Sequence, residues 1–143
     1  MVKVFVDTNI LIDFLNSSRG GHGVALDLFN IILSNKAEAA ITTQSILDAA
    51  YVCAKEDGFN NEKFRETVTM LVGRTNIGFI DSFDIREAFG NPDPDIEDNA
   101  QISFAYNQVC DVFLTNDRKI LSRKLPEPMI AMTPSDFVDR CKQ

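Results

Sequence analysis

Hydrophobic and polar positions follow two different periods along this chain. Short apolar runs rich in β-branched and aromatic residues predict strands, and apolar residues spaced three or four positions apart predict helices. The predicted strands are Lys3–Val6, a short strand within Glu38–Thr42, Asn76–Ile80, Val112–Leu114 and Met129–Met132. The predicted helices are Asn9–Leu15, His22–Ser34, Gln44–Glu56, one from Asn60 to near Gly73, one capped by Asp81 and running through Phe89, Ile96–Tyr106, Asn116–Leu121 and a terminal helix starting at Thr133.

The regular alternation of strands with helices predicts the fold class. It is typical of an α/β domain, here with three layers and a central, mostly parallel sheet of four to five strands covered by helices on both faces. The 143 residues contain no internal repeat and no linker-like stretch, and the NPDPD segment at 91–95 is only loop-sized. We therefore expect a single domain over residues 1–143.

Composition excludes several other classes of protein. Hydrophobic residues make up 45% of the chain and charged residues 24%, an ordinary globular balance. No apolar stretch approaches the roughly 20 residues of a membrane helix, and Asp7 comes too early for a signal peptide. The three cysteines are widely spaced and fit neither a disulfide framework nor a zinc site. We therefore expect a cytoplasmic protein with no membrane partner.

Acidic residues follow the predicted strands at informative positions. Asp7 follows the first strand, Asp117 follows the fourth, Asp48 lies about one turn into the helix after the second, and Asp98 begins the helix before the fourth. The carboxyl ends of parallel strands share one edge, so these four segments can bring their carboxylates together. Clustered carboxylates raise one another's pKa unless a cation intervenes, and oxygen-only ligands favour Mg²⁺ or Mn²⁺. The implied chemistry is metal-assisted hydrolysis of a phosphodiester.

Each of these acids also has a purely structural interpretation. Asp7 and Asp117 precede predicted helices and can cap them. Asp98 suits the first turn of a helix because of the helix dipole, and Asp48 is compatible with simple solvent exposure. The joint placement of the acids, rather than any one of them, is what indicates a site.

The net charge of −7 at first argues against a polyanionic partner such as nucleic acid. The segment 81–98, however, contains seven acids and one arginine, so the excess is local and overlaps the predicted site. Arg118, Lys119, Arg123 and Lys124 follow Asp117 and form either a contact for a nucleic-acid backbone or a solvated helix face. Charge therefore does not exclude a nucleic-acid partner.

The opening motif VFVDTNILIDFL, residues 4–15, closely resembles the first motif of PIN-domain ribonucleases. In that family a hydrophobic strand delivers an Asp, which is followed by Thr-Asn and an amphipathic helix. The segment DIEDNA at 95–100 resembles the third-acid helix of the family, and VFLTND at 112–117 resembles its fourth motif. The resemblance spans residues 2–117, and the length agrees with the compact VapC-like toxins of bacterial toxin–antitoxin pairs.

The resemblance implies a set of site residues. Asp7, Asp98 and Asp117 are implied metal ligands, with Glu97 as a further candidate, and Asp7, Asp48, Asp98 and Asp117 are the implied catalytic acids. Many family members have Glu in the helix after the second strand, where this chain has Asp48. Its side chain is one methylene shorter, which implies contact through a water or weaker metal binding. Asp48 or Glu97 is then expected to orient the attacking water.

Other residues near these acids are candidates for substrate binding. Asn9, Thr115, Asn116 and Arg118 are expected to contact a phosphate, although a structural role is as compatible with the first three. Thr115 and Asn116 can instead support Asp117.

The function that the resemblance implies is a Mg²⁺- or Mn²⁺-dependent endoribonuclease acting on RNA. A VapC-like toxin would form a homodimer and be neutralised by a cognate antitoxin protein. Two alternatives stay open. One is a PIN nuclease of RNA processing or decay. The other is a catalytically degenerate PIN scaffold that binds RNA or protein, an alternative motivated by Asp48.

Overall fold

The computed structural model describes residues 1–143 and contains five strands and eight helices. The strands are β1 (Lys3–Val6), β2 (Glu38–Thr42), β3 (Asn76–Gly78), β4 (Val112–Leu114) and β5 (Ile130–Met132). The helices are α1 (Thr8–Leu15), α2 (His22–Leu33), α3 (Thr43–Ala54), α4 (Asn61–Arg74), α5 (Ser82–Gly90), α6 (Ile96–Asn107), α7 (Arg118–Leu121) and α8 (Pro134–Cys141). None of these helices combines the length and the apolar character needed to cross a membrane.

All five strands form one parallel sheet in the order β3-β2-β1-β4-β5. Phe5 of β1 pairs with Ala40 of β2 on one side and with Phe113 of β4 on the other. The most N-terminal strand is therefore the central one, and Asp7 leaves the sheet from the middle of its carboxyl edge. The predicted α/β fold with a parallel sheet is confirmed.

Alternate residues of β1 enter two separate cores, one on each face of the sheet. Val4 and Val6 pack in the larger core with apolar residues of α1, α2, α3, α4 and α8. Phe5 belongs to the smaller core under α6, where its ring centroid lies 6.0 Å from that of Phe104 and 4.5 Å from that of Phe113. These cores fix the sheet between two helical layers and hold α1, α3 and α6 at the carboxyl edge.

Several helices begin later than predicted because a polar residue caps them. Asp117 is the N-cap of α7, so this helix begins at Arg118, and Thr133 caps α8 in the same way. Asp81 and Asp84 form a reciprocal capping box at the start of α5. Strand β3 ends at Gly78 because its partner β2 ends at Thr42, with which Gly78 pairs.

Two large apolar side chains of α2 and α3 are exposed. Val24 of α2 is 37% exposed, because Ala25 and Phe29 face the core. Tyr51 of α3 is 64% exposed, because this helix presents Ala49 and Cys53 to the sheet.

Candidate functional site

A cleft of about 380 Å³ opens where α1, α3 and α6 meet the carboxyl ends of β1 and β4. We call it the acidic cleft. Its lining consists of Asp7, Thr8, Asn9, Asp48, Tyr51, Val52, Asp95, Glu97, Asp98, Gln101 and Asp117. Six of these eleven side chains are carboxylates, and they come from four separate segments of the chain.

Asp7 is held rigidly at the end of the central strand. Its Oδ1 accepts from the backbone N–H of Thr8 at 2.7 Å, which caps α1, and its Oδ2 accepts from Thr115 Oγ1 at 2.8 Å. Burial raises the pKa of Asp7 above its ordinary value, the two hydrogen bonds oppose this shift, and the negative charge of Asp117 adds to it. The carboxylate is therefore held in one orientation, whereas its surroundings disfavour its ionised form.

Thr115 connects the acids that follow the two central strands. Its hydroxyl donates to Asp7 and also accepts from the backbone N–H of Asp117 at 2.9 Å. Asp117 in turn caps α7, because its Oδ1 accepts from the N–H of Lys119 at 2.9 Å. The side chain of Thr115 is completely buried, so its hydroxyl serves these two acids and is not available to a phosphate entering from solvent.

Asp98 lies in the first turn of α6 and lines the same cleft as Asp7. Its backbone N–H donates to Asp95 Oδ1 at 3.0 Å, and Asp95 is the N-cap of the helix. Its own Oδ2 is buried and has no hydrogen-bond partner. Burial, followed by the negative charges of Asp95, Asp117 and Asp7, raises the pKa of Asp98 to about 7. This carboxyl therefore lacks the positive or donor group that would stabilise its ionised form.

These features bear on whether a metal ion fits the acidic cleft. No three of the Asp, Glu, His and Cys side chains are arranged as a ready coordination shell for one ion. The donor set is nonetheless oxygen-only, Asp98 Oδ2 is unpartnered, and the raised pKa values of Asp7 and Asp98 describe repulsion that a cation relieves. This chemistry fits a hard divalent cation, with Asp7, Asp98 and Asp117 as the residues that would hold it.

The structure brings together most of the predicted site residues. The predicted residues that line the acidic cleft are Asp7, Asn9, Asp48, Glu97, Asp98 and Asp117. Thr115 lies behind the cleft wall, and Asn116 and Arg118 are exposed outside the lining. The predicted phosphate contacts of Asn116 and Arg118 stay predictions. For Thr115, the hydrogen bond from the backbone N–H of Asp117 agrees with the alternative role, support of Asp117.

Sequence reasoning missed several lining residues. Tyr51 and Gln101 lie three positions after Asp48 and Asp98 on α3 and α6, so helical spacing alone places each beside an acid already identified. Thr8 was also missed. Its Oγ1 lies 2.7 Å from Ser45 Oγ, and Thr42 Oγ1 donates to the same Ser45 oxygen at 2.9 Å. This chain of hydroxyls ties α1 to the start of the helix that carries Asp48.

A parallel α/β domain with a carboxylate-lined cleft at the ends of its central strands is the class of protein that the fold and the site define. Comparison of the sequence with protein families narrows this class. A family model described as "PIN domain" matches residues 3–119. The chain belongs to the PIN domain family, which confirms the resemblance drawn from its motifs.

Relatives of this chain include VapC proteins. Over 143 aligned residues it is 25% identical to "Ribonuclease VapC1" of Aquifex aeolicus, covering 96% of this chain and 94% of that protein. Its fold is similar to the crystal structure of Mycobacterium tuberculosis VapC20, described as a sarcin-ricin loop cleaving toxin. The TM-score is 0.67 at 11% identity, over 87% of this chain and 97% of that one.

A second similar structure is VapBC2 from Rickettsia felis bound to a DNA fragment from its promoter. The TM-score is 0.59 at 17% identity, over 92% of this chain and 98% of that one. At such low identities the two structures support the fold alone.

Proposed function

We propose that this protein is a divalent-metal-dependent endoribonuclease that hydrolyses RNA phosphodiester bonds. The observation that carries the proposal is the convergence of Asp7, Asp48, Asp98 and Asp117 on one cleft at the carboxyl edge of the sheet. The raised pKa values of Asp7 and Asp98 support it, because they indicate a site whose carboxylates gain from a cation. Similarity to a ribonuclease over nearly the whole chain supports the choice of RNA as substrate.

Each acidic residue of the proposed site has a role in the hydrolysis. Asp7, Asp98 and Asp117 would hold Mg²⁺ or Mn²⁺, with Glu97 as a further ligand. When bound, the cation lowers the pKa of a water molecule and neutralises charge on the phosphate. Asp48 orients the attacking water and accepts its proton, a task for which Glu97 is the alternative.

Substrate contacts come from the rim of the cleft. Asn9 is exposed and lines the cleft, which supports a role for its amide as a donor to a phosphate oxygen. Asn116 and Arg118 are exposed next to Asp117 and contact a longer RNA beyond the scissile bond. Thr115 acts from within the protein, by fixing Asp7 and the backbone of Asp117.

We further propose that the chain is a single PIN domain over residues 1–143 and the toxin of a cytoplasmic toxin–antitoxin pair. Its partners are then RNA, a cognate antitoxin protein and a second copy of itself in a homodimer. Similarity to VapC1 supports this role. Roles in RNA processing or as a non-cutting scaffold are the alternatives that the experiment must separate.

The test uses purified protein, single-stranded RNA and Mn²⁺. We expect cleavage that requires the metal, is abolished by a chelator, and falls by at least 100-fold in Asp7→Asn and Asp98→Asn. Asp27→Asn is the matched control, since Asp27 is an exposed acid on α2 outside the cleft. Calorimetric titration with Mn²⁺ gives a second readout. A wild-type protein that neither binds Mn²⁺ nor cuts RNA would support the scaffold alternative.

A cell-based comparison separates the two nuclease roles. Expression of the wild type is expected to arrest growth, expression of Asp7→Asn is not, and a small protein encoded beside the gene is expected to reverse the arrest. Growth without arrest, combined with RNA cleavage in vitro, would favour a role in RNA processing or decay.

A further inference from the structure

We propose that Arg123 is a positioning residue that sets the spacing between Asp98 and Asp117 across the acidic cleft. The inference rests on the proposed function, because it assigns Arg123 a part in metal binding by that site. Arg123 belongs to the basic group expected either to contact a nucleic acid or to lie in solvent. Its guanidinium instead turns inward and contacts Asn99 near the start of α6 and Asp93 in the segment before that helix.

The inward contacts of Arg123 involve a buried amide and a carboxylate. Its Nη2 donates to Asn99 Oδ1 at 2.8 Å, and its Nη1 lies 3.6 Å from Asp93 Oδ2. Nη1 is itself buried and has no hydrogen-bond partner, so the Asp93 carboxylate is the charge that compensates it. We call Arg123, Asn99 and Asp93 the arginine brace.

One end of the brace is bound to the acids at the start of α6. The Asn99 side chain is buried and donates from Nδ2 to the Asp93 backbone oxygen at 2.9 Å and to the Ala88 backbone oxygen at 3.1 Å. Asp93 Oδ1 accepts from the backbone N–H of Asp95 at 2.9 Å, and Asp95 caps the helix through Asp98. Asn99 also follows Asp98 directly, so movement at the brace is transmitted to that acid by two routes.

The other end of the brace is bound to the element that carries Asp117. Arg123 is the second residue after α7, and its backbone N–H donates to the oxygen of Ile120, a core residue of that helix. Asp117 caps the same helix at its other end. One guanidinium therefore connects the start of α6, whose first turn holds Asp98, to the short helix α7, whose N-cap is Asp117.

The neighbouring basic side chains do not make such inward contacts. Lys124 pairs with Glu127 at 3.8 Å, and both side chains are more than 80% exposed, so this pair contributes little. Arg118 and Lys119 are exposed. Arg123 is distinguished by two inward partners, and the planar guanidinium can contact both at once, which the single ammonium of a lysine cannot do in the same geometry.

The test compares Arg123→Lys and Arg123→Gln with wild type. Arg65→Lys is the matched control, because Arg65 also donates to an asparagine, Asn61 Oδ1 at 3.1 Å, but on the exposed surface of α4. We expect the Mn²⁺ dissociation constant, measured by calorimetry, to rise roughly 10-fold in both Arg123 variants. The Mn²⁺ concentration for half-maximal cleavage should rise in parallel, with an unchanged KM for RNA. The control should match wild type.

A merely structural role for Arg123 predicts a lower melting temperature without a change in Mn²⁺ affinity, and that result overturns the inference. Asp93→Asn provides a second test if the Arg123 variants fail to fold, since it keeps an Oδ1 acceptor for Asp95 and replaces the Oδ2 that faces Arg123 with an uncharged amide nitrogen. We expect Asp93→Asn to weaken Mn²⁺ binding by several-fold. The double variant Asp93→Asn/Arg123→Gln should bind Mn²⁺ as tightly as Arg123→Gln alone, because both substitutions break the same contact.

Failure of the brace inference and failure of the proposed function give different results. If wild type binds Mn²⁺ and cuts RNA while Arg123→Lys and Asp93→Asn retain wild-type affinity, the brace has no positioning role and the proposed function stands. If wild type binds no divalent cation and cuts no RNA, the proposed function fails, and this inference fails with it.

Discussion

Thr115 Oγ1 donates to Asp7 Oδ2 at 2.8 Å, and this bond joins residues 108 positions apart in the sequence. Val6 of β1 is in register with Leu114 of β4, and Asp7 and Thr115 are the residues that come next after these two. The parallel pairing of β1 with β4 therefore brings Asp7 and Thr115 together. A completely buried threonine thereby orients the acid at the centre of the cleft. The bond links the folding of the sheet to the chemistry of the site.

Thr115→Val tests this link, because valine has nearly the same shape but no hydroxyl. We expect the free energy of unfolding to fall by about 2 kcal/mol, the scale of a buried hydrogen bond to a charged group. RNA cleavage should fall roughly 10- to 100-fold, since Asp7 loses the donor that orients it. Urea unfolding and cleavage rates measure the two effects. Thr115→Ser keeps the hydroxyl and is expected to lie near wild type, whereas wild-type behaviour of Thr115→Val would show that the bond is dispensable.

Asp48 gives a second prediction, because the family resemblance places Glu at its position. Asp48 lines the same cleft as Asp7, so the cleft is the space available to a side chain longer by one methylene. We expect Asp48→Glu to keep cleavage within about 3-fold of wild type and Asp48→Asn to lower it by roughly 100-fold, the scale of general-base loss. Cleavage rates at saturating Mn²⁺ distinguish the variants. An equal loss of cleavage in Asp48→Glu and Asp48→Asn would mean that the length of the Asp48 side chain matters as much as its charge.

Metal addition should also stabilise the protein. A ligand that binds only the folded state at 100 times its dissociation constant adds about 2.7 kcal/mol to the free energy of unfolding. For a domain of this size we expect Mn²⁺ to raise the melting temperature by roughly 5 to 10 °C. Asp98→Asn should lose most of this increase, and Asp27→Asn should keep it. An increase of equal size in all three proteins would place the binding site outside the acidic cleft.

The sequence predicts the fold because its signals are local. Hydrophobic periodicity identifies every strand, and each of Asp7, Asp48, Asp98 and Asp117 follows or precedes a strand at a position that parallel topology brings to one edge. Capping residues such as Asp117 move the helix boundaries by a residue or two, since a cap and the first residue of a helix look alike in sequence.

Contacts between distant elements are what the sequence does not predict. Arg123 and Asn99 are 24 positions apart, and nothing in either segment indicates that the guanidinium turns inward. The full burial of Thr115 and the unpartnered Oδ2 of Asp98 likewise depend on how α6 and β4 pack. The acids of the site are therefore visible in sequence, whereas the groups that orient them are visible only in the structure.

The raised pKa of Asp98 gives a last prediction, on the pH dependence of stability. The pKa of this carboxyl is about 7 in the folded protein and near 3.9 in an unfolded chain. Between these values the folded state keeps a proton that the unfolded state has lost, so stability falls as pH rises through that window. Asp98→Asn removes this titration. In the presence of a chelator we therefore expect wild type and variant to be similar near pH 4.5, and the variant to be more stable at pH 8.

The size of this difference is limited because Asp98 is only partly buried. We expect roughly 1 kcal/mol at pH 8, well below the full value of the shift, since solvent screens the neighbouring carboxylates. Urea unfolding at pH 4.5, 6, 7 and 8 measures it, and Asp27→Asn should show a difference from wild type that does not vary with pH. Mn²⁺ should reverse the order at pH 8, because the cation stabilises the ionised carboxylate that the variant lacks. Parallel pH profiles for wild type and Asp98→Asn would mean that Asp98 is not the group whose charge opposes folding.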